Sequence, residues 1–262
     1  KDAASASIYG ARAAAGVILV TTKRAKEGVM NIEYSGTTGF VAITAFPGTV
    51  NYKRYMEMIN EIAWNDGGNI EGNEYSVYSK DFIENYAENH KKNPNQYPLA
   101  DWKSYLINNT APNMKHDVSL NFGSKSIKSM TTFGYESTDA LYDNCNHSNI
   151  TVRTNNDLKL NDVLSVTVDG SYRRGISKNP VVNPLRAAYL YAPLWSPVWA
   201  DGRISGGRDG TNTYARLKYG GFDNSWNDYL TGSFSLIYTP LKNLTITGVY
   251  APTIKLNKNK NF

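Results

Sequence analysis

Glu57 and Glu61 stand one helical turn apart, the spacing at which two carboxylates could share acid–base work. Nothing beside them supplies a nucleophile or a positioned partner, and a solvated helix face accounts for both. Cys145, the single cysteine, lies in the polar run Asp143-Asn144-Cys145-Asn146-His147 and reads as a loop thiol. The three histidines, His90, His116 and His147, are too scattered to frame a zinc site. Asp201-Gly202 and Gly207-Arg208-Asp209-Gly210 could cradle a cation or simply turn the chain; without EF-hand spacing, turning is the reading taken. The Asn-X-Ser/Thr triplets at Asn108, Asn146, Asn149 and Asn243 are incidental to an Asn- and Thr-rich chain. No catalytic residue, cofactor site or metal site emerges. The richest chemistry is aromatic, in a long loop read as Gly175 to Asp228. Trp195, Trp199, Tyr214 and Trp226 are its candidate contacts, stiffened by Pro193 and Pro197. Flat rings cover the apolar faces of sugars or meet peptide side chains. The same rings could pack the loop on itself or touch a partner protein, and all three uses stay open.

The composition narrows the class. The 262 residues carry a net charge of +5 that is spread rather than clustered, and no nucleic-acid-binding motif accompanies it. Nineteen tyrosines against eight phenylalanines, with abundant Asn, Ser, Thr and Gly, suit β structure with long polar loops. No apolar run reaches the roughly 18 residues of a membrane-spanning helix.

The elements follow from periodicity. Asn31 to Ile43 reads as a strand. Tyr52, Tyr55, Met56, Ile59, Ile62 and Ala63 fall at helical spacing behind Asn51, a plausible N-cap. A second helix starts at Ser79 and presents Phe82, Ile83 and Tyr86, and a short amphipathic stretch runs from Asp101-Trp102 to Ile107. The period then becomes two. Val118, Leu120 and Phe122 alternate with polar neighbours, and strands follow at Ser126–Ser137, Asn149–Leu160, Leu164–Arg173 and Leu230–Tyr238, with a last one from Leu244. One apolar face and a length of roughly ten residues suit tilted strands crossing a bilayer.

Connection lengths of about 70, 4, 12, 3, 54 and 4 residues alternate long and short, the habit of outer-membrane barrels with periplasmic turns and extracellular loops. Tyr172 and Tyr238, near strand ends, read as anchors at the membrane interface.

The N-terminal stretch KDAASASIYGARAAAGVILVTTK combines small residues, two glycines and a buried apolar run, Val17–Val20. Its glycine spacing fits neither a Walker loop nor a dinucleotide fingerprint. Asp2, Ile8, Tyr9, Gly10, Arg12, Gly16, Val17, Thr21, Thr22 and Lys23 resemble the end of the plug domain in SusC/RagA-type TonB-dependent outer-membrane transporters, with Ala15 standing where an Asn is expected. Asp101-Trp102, Thr110-Ala111-Pro112, Phe133-Gly134-Tyr135 and Asn149–Asn155 resemble early-barrel segments of the same family.

The resemblance implies an all-β-dominated fold, part of a 22-stranded transmembrane antiparallel barrel with the end of a plug and short helices in extracellular loops. Residues 1–28 would close the plug and link it. Residues 29–262 would form the first part of the barrel, about seven strands, making the chain a fragment. The implied function is TonB-dependent import of a large nutrient, an oligosaccharide or alternatively a peptide, across the bacterial outer membrane. The implied partners are a SusD-like surface lipoprotein, the TonB complex, membrane lipid and the cargo, with no nucleic acid and no enzyme activity. A rival from another class is a carbohydrate-binding or adhesin β domain using the aromatic loop.

Overall fold

The computed structural model describes residues 22–262. Its frame is one antiparallel sheet, ordered β1 (Met30–Ala42), β2 (Thr110–Gly123), β3 (Ile127–Asp139), β4 (Asn146–Lys159), β5 (Leu164–Pro180) and β6 (Phe222–Leu241), followed by β7 (Leu244–Tyr250) and β8 (Thr253–Asn261). Both of the last two pair with β6 in a single register, Phe234 opposite Tyr250 and Leu230 opposite Ile254. Between them Pro252 has no N–H to give, yet its carbonyl still accepts from Gly232 N at 3.0 Å. In effect β7 and β8 are one strand interrupted at a proline, so the eight segments fill seven positions across the sheet.

Each strand is a nearest neighbour of the next in sequence, an up-and-down meander. The turns at 124–126, 160–163 and 242–243 are short and lie at one end; the connections 43–109 and 181–221 are long and lie at the other. The third connection at that end is a tight 140–145 turn, shorter than the sequence suggests, because β3 and β4 pair as far as Asp139 and Asn146.

Register sorts the side chains into two faces. One row across the sheet reads Tyr34, Val118, Phe133, Val152, Tyr172, Leu230 and Ile254. The adjacent row on the opposite face reads Ser35, Asp117, Gly134, Thr151, Arg173, Tyr229 and Lys255. Among the described residues no second layer covers the apolar face: Ile32, Phe133, Leu230 and Phe234 are all exposed. A soluble sandwich would bury that face, whereas a barrel wall turns it to lipid and keeps the polar face toward the lumen. Even there polar tips find partners, as Tyr34 Oη and His116 Nδ1 do at 2.8 Å.

The packed cores lie above the sheet, where the long connections fold. They supply α1 (Tyr52–Asp66), α2 (Lys80–Lys92), α3 (Trp102–Leu106), α4 (Pro184–Leu190) and α5 (Thr213–Tyr219). Each helix begins at a side chain that accepts a backbone N–H: Asn51 from Arg54, Ser79 from Phe82, Asp101 from Lys103, Asn183 from Arg186 and Asn212 from Ala215. One core joins Trp102, Leu106, Ala187, Ala188 and Leu217, contributed by both long connections. A second joins Met56, Ile83 and Tyr86 with Tyr52, Phe82 and Tyr97 around them.

Asn60 stitches the second core to its loop. It is 2 % exposed. Its amide donates to Tyr78 O at 2.7 Å, and its Oδ1 accepts from Val77 N at 3.1 Å and Tyr78 N at 2.8 Å. Asn60→Ala leaves these backbone groups unpaired, at a cost of about 2–4 kcal/mol. Hydrogen exchange on the full-length protein should show fast exchange confined to residues 67–79 and α2, with the strands unchanged.

Candidate functional site

Two surfaces could do work: the polar face of the sheet and the loop layer above it. The segment ahead of β1 lies against the first. Asn155 Nδ2 donates to Lys23 O at 3.1 Å, and Arg24 reaches Asp157 at 2.8 Å and Asp169 at 2.6 Å. Those carboxylates sit on β4 and β5, both on the polar face. The segment then crosses to β2, where Gly28 N donates to Gly123 O at 2.9 Å and Gly123 N to Val29 O at 2.8 Å. Gly28 takes φ +75°, and a Cβ on Gly123 would fall 1.9 Å from Lys26 O, so the contact needs glycine at both places. Of the plug-like motif, Thr22 lines a cleft with Arg153, Asn155 and Asp169, and Lys23 takes part as described. Asp2, Ile8, Tyr9, Gly10, Arg12, Gly16, Val17 and Thr21 lie outside the described residues.

Higher on the polar face, Lys115, Asp117, Glu136, Asn149 and Arg153 line a shallow cleft of about 320 Å³. Arg173 and Lys255 hold their cations 5.1 Å and 5.0 Å from the ring of Tyr229. The face is therefore polar and of mixed charge.

The four candidate aromatics are not gathered into one site. Trp195 sits in the loop layer, edge-on to Tyr55 at 6.0 Å and under the Arg208 guanidinium at 5.3 Å. Tyr214 packs on the first core and meets Tyr105 at 5.6 Å. Trp199 stands apart on a tight turn closed by Gly202 (φ +84°), beside a cleft of about 290 Å³ lined by Asn93, Asn95, Gln96 and Arg203. Trp226 is not in the loop: β5 runs on to Pro180 and β6 starts at Phe222, so Trp226 is a strand residue on the apolar face. Sequence reasoning also missed the merging of the two long loops. Trp102, from the first, is 2 % exposed and meets Tyr191, from the second, edge-on at 4.7 Å. The helical signal of 101–107 could have pointed to it, since a short amphipathic helix needs something to bury its tryptophan.

The remaining candidates serve structure. Asp201 binds Arg203 and closes its own turn. Gly207, Asp209 and Gly210 have positive φ in a second turn. Arg54 lies between Glu57 and Glu61, at 3.8 Å and 3.5 Å. Among the described residues no group of His, Cys, Asp or Glu could hold a metal ion.

One polar knot ties three loops together. Asp143 accepts from Asn108 Nδ2 at 3.1 Å and pairs with Lys218, while Asn144 Nδ2 donates to Leu217 O at 2.6 Å. The Lys218 ammonium, then Asn108, holds the Asp143 carboxyl below its usual range, and Asp143 raises Lys218 in turn. Nearby, burial and a hydrogen bond to Cys145 push the Tyr142 phenol up to about 12.

No known family model matches the chain. It is 26 % identical over 270 residues to TonB-dependent receptor P26 of Formosa agariphila, a match covering all of this chain and 25 % of that protein. It is 28 % identical over 158 residues to TonB-dependent receptor SusC of Bacteroides thetaiotaomicron, covering 59 % of this chain and 13 % of SusC. In fold it superposes on a solved structure of the RagAB peptide transporter with a TM-score of 0.74 at 19 % identity, over all of this chain and 32 % of that one. The same transporter in its open-open state gives 0.73 at 20 % identity. The chain thus spans a quarter or less of the curated relatives' length. Its class is a mostly antiparallel β wall of the outer-membrane barrel type. In sequence and fold it resembles SusC/RagA-type TonB-dependent transporters, outer-membrane proteins that are not enzymes.

Two measurements on the full-length protein follow. Removing Arg24 (Arg24→Ala) should speed amide exchange at Gly28 and Val29 about tenfold, the equivalent of ~1.4 kcal/mol for two half-exposed ion pairs. The Asp143–Lys218 pair is present above the ordinary Asp pKa and below the ordinary Lys pKa. Lowering the pH through the depressed Asp143 value removes it, and so does raising the pH through the elevated Lys218 value. Protection of residues 140–145 should therefore be flat from about pH 5 to 9 and fall only outside that window, by less than about 1 kcal/mol.

Proposed function

We propose that the protein of which this chain forms part imports a large nutrient across the outer membrane, driven by TonB. In this reading residues 1–28 end the plug and link it, and residues 29–262 begin the barrel. The observation that carries it is a single sheet with an uncovered apolar face, a polar face, and residues 22–28 bound to that polar face. Such a segment leads naturally from a lumenal plug into the wall. Transport here is gating: cargo binds above, the plug rearranges below, and no covalent bond changes. The loop layer at the opposite end from the short turns suits docking of a SusD-like lipoprotein over the mouth.

The cargo we propose is an oligosaccharide. Trp199 supports it, since an aromatic face beside Asn95, Gln96 and Arg203 pairs a stacking surface with hydrogen-bonding groups. A peptide is the second reading, favoured by the fold likeness to a transporter described as carrying peptides. The rival adhesin or carbohydrate-binding domain has no use for residues 22–28 lying on the polar wall.

Uptake of labelled oligosaccharides and labelled peptides by cells with and without the intact gene tests this reading. Loss of oligosaccharide uptake alone is expected; loss of peptide uptake alone would replace the cargo, and loss of neither would end the import reading. Trp199→Ala should weaken oligosaccharide binding by about 3–10-fold, as for one lost aromatic contact.

A further inference from the structure

The lipid-facing side of the sheet carries cations in one place only. Among the described strands, register gives four outward Lys or Arg: Arg174, Lys178, Lys258 and Lys260. They fall in three consecutive rows on β5, β6 and β8, near the long-loop end. Those rows read Lys178-Asn224-Lys260, Ile176-Trp226-Lys258 and Arg174-Asp228-Leu256. The row below is the apolar Tyr172-Leu230-Ile254. At the same end of β1 to β4 the outward positions hold no Lys or Arg: Phe40, Met114, Tyr135 and Ile150 stand there with Ser137, Ser148, Asn146 and one acid, Asp139.

The cluster is not internally neutralised. Asp228 is taken by Arg174, bidentate at 2.7 Å and 2.9 Å, and by Tyr172 Oη at 2.7 Å. Among the described residues, Lys178, Lys258 and Lys260 have no carboxylate within ion-pair range, and all three are exposed. A cleft of about 810 Å³ opens among Arg174, Trp226, Asp228, Leu256, Lys258 and Lys260. Three ammonium groups without a carboxylate partner among the described residues, that of Lys260 lying 5.8 Å from the Phe222 ring, stand beside a half-buried tryptophan and directly above an apolar band. They match a ligand that is anionic at its head and apolar below. A soluble anion would gain nothing from Leu256 and Ile254, and an uncharged lipid nothing from the lysines.

We propose that this patch binds the phosphate groups of a phosphorylated glycolipid in the outer leaflet. Lys178, Lys258 and Lys260 receive the phosphates, and Trp226 lies at the headgroup boundary. The Arg174–Asp228–Tyr172 triad fixes the floor of the cleft. The proposal rests on the outer-membrane location of the protein.

The test uses full-length protein in mild detergent and follows tryptophan fluorescence on titration with bisphosphorylated lipid A, its dephosphorylated form and inorganic phosphate. Wild type should bind the bisphosphorylated lipid at least tenfold more tightly than the dephosphorylated one, and phosphate up to millimolar levels should not compete. Lys258→Gln with Lys260→Gln should weaken binding about thirtyfold, at roughly fivefold per cation. Lys242→Gln, in a turn at the far end, should leave it unchanged. Correct folding of each variant is read from its heat-dependent gel mobility; if the double variant does not fold, Lys178→Gln alone should give the fivefold loss. Equal binding by wild type and variants, or equal binding of the dephosphorylated lipid, overturns the proposal. Competition by inorganic phosphate reassigns the patch to a soluble anion and also overturns it. Fractionation of the protein away from the outer membrane would instead overturn the location on which the proposal rests.

Discussion

Backbone N–H and C=O groups cannot be left unpaired in hydrocarbon, because each orphan costs several kcal/mol and no water is there to relieve it. That constraint shapes this chain more than any side-chain contact. The strands run long, 17 residues for β5 and 20 for β6, and their ladders are continuous from turn to loop. The break at Pro252 keeps the register of the strand on both sides of it, and the β6–β7 ladder shifts register only beside its turn, between Tyr238 and Leu241. With the ladder fixed, a period of two follows, and with it one lipid face and one polar face. The row from Tyr34 to Ile254 and the row from Ser35 to Lys255 are adjacent positions of the same strands. A slip of one residue would exchange them, which makes the alternation itself the guard on register.

The polar face in turn makes possible the binding of residues 22–28. Asn155, Asp157 and Asp169 can meet Lys23 and Arg24 because their strands turn every second residue inward. The demand for glycine at 123 has the same origin: two backbones, Lys26 and the end of β2, meet with no space for a Cβ between them. In the loop layer the logic is that of a small soluble protein, with capped helices and aromatic cores. Among the described residues those cores lie in the long connections at one end of the sheet, not on its faces.

The strands and helices were legible because their signals are local. Asn51 and Ser79 cap the helices they mark, and alternation from Val118 onward locates the wall. Boundaries were less so. β5 continues through Arg173-Arg174-Gly175 and β6 begins eight residues before Leu230, since charged and amide side chains at the rim carry no hydrophobic period yet still pair their backbones. For that reason Trp226 looked like a loop residue. Merging of the two long loops was hidden for a different reason: Trp102 and Tyr191 are brought together only by the tertiary fold. The Arg24 contacts likewise join residues more than a hundred positions apart, which no spacing rule connects.

The relative strength of these contacts decides which part of the assembly can move. Shifting β4 past β5 would break a ladder of paired residues extending from Asn146 to Lys159, at about 1 kcal/mol for each hydrogen bond and with every side chain sent to the wrong face. Freeing residues 22–28 needs only two half-exposed ion pairs and a few backbone bonds to give way, a few kcal/mol in all. The wall is therefore the fixed body and the segment ahead of β1 the releasable one. A force applied through the chain before Thr22 would peel Arg24 from Asp157 and Asp169 one contact at a time, long before it disturbed the strands. Next to give would be the contacts at Gly28 and Gly123, where the chain is already covalently part of the wall. Any displacement that begins ahead of this segment thus has a natural stop at Met30, set by the onset of the β1–β2 ladder opposite Phe122.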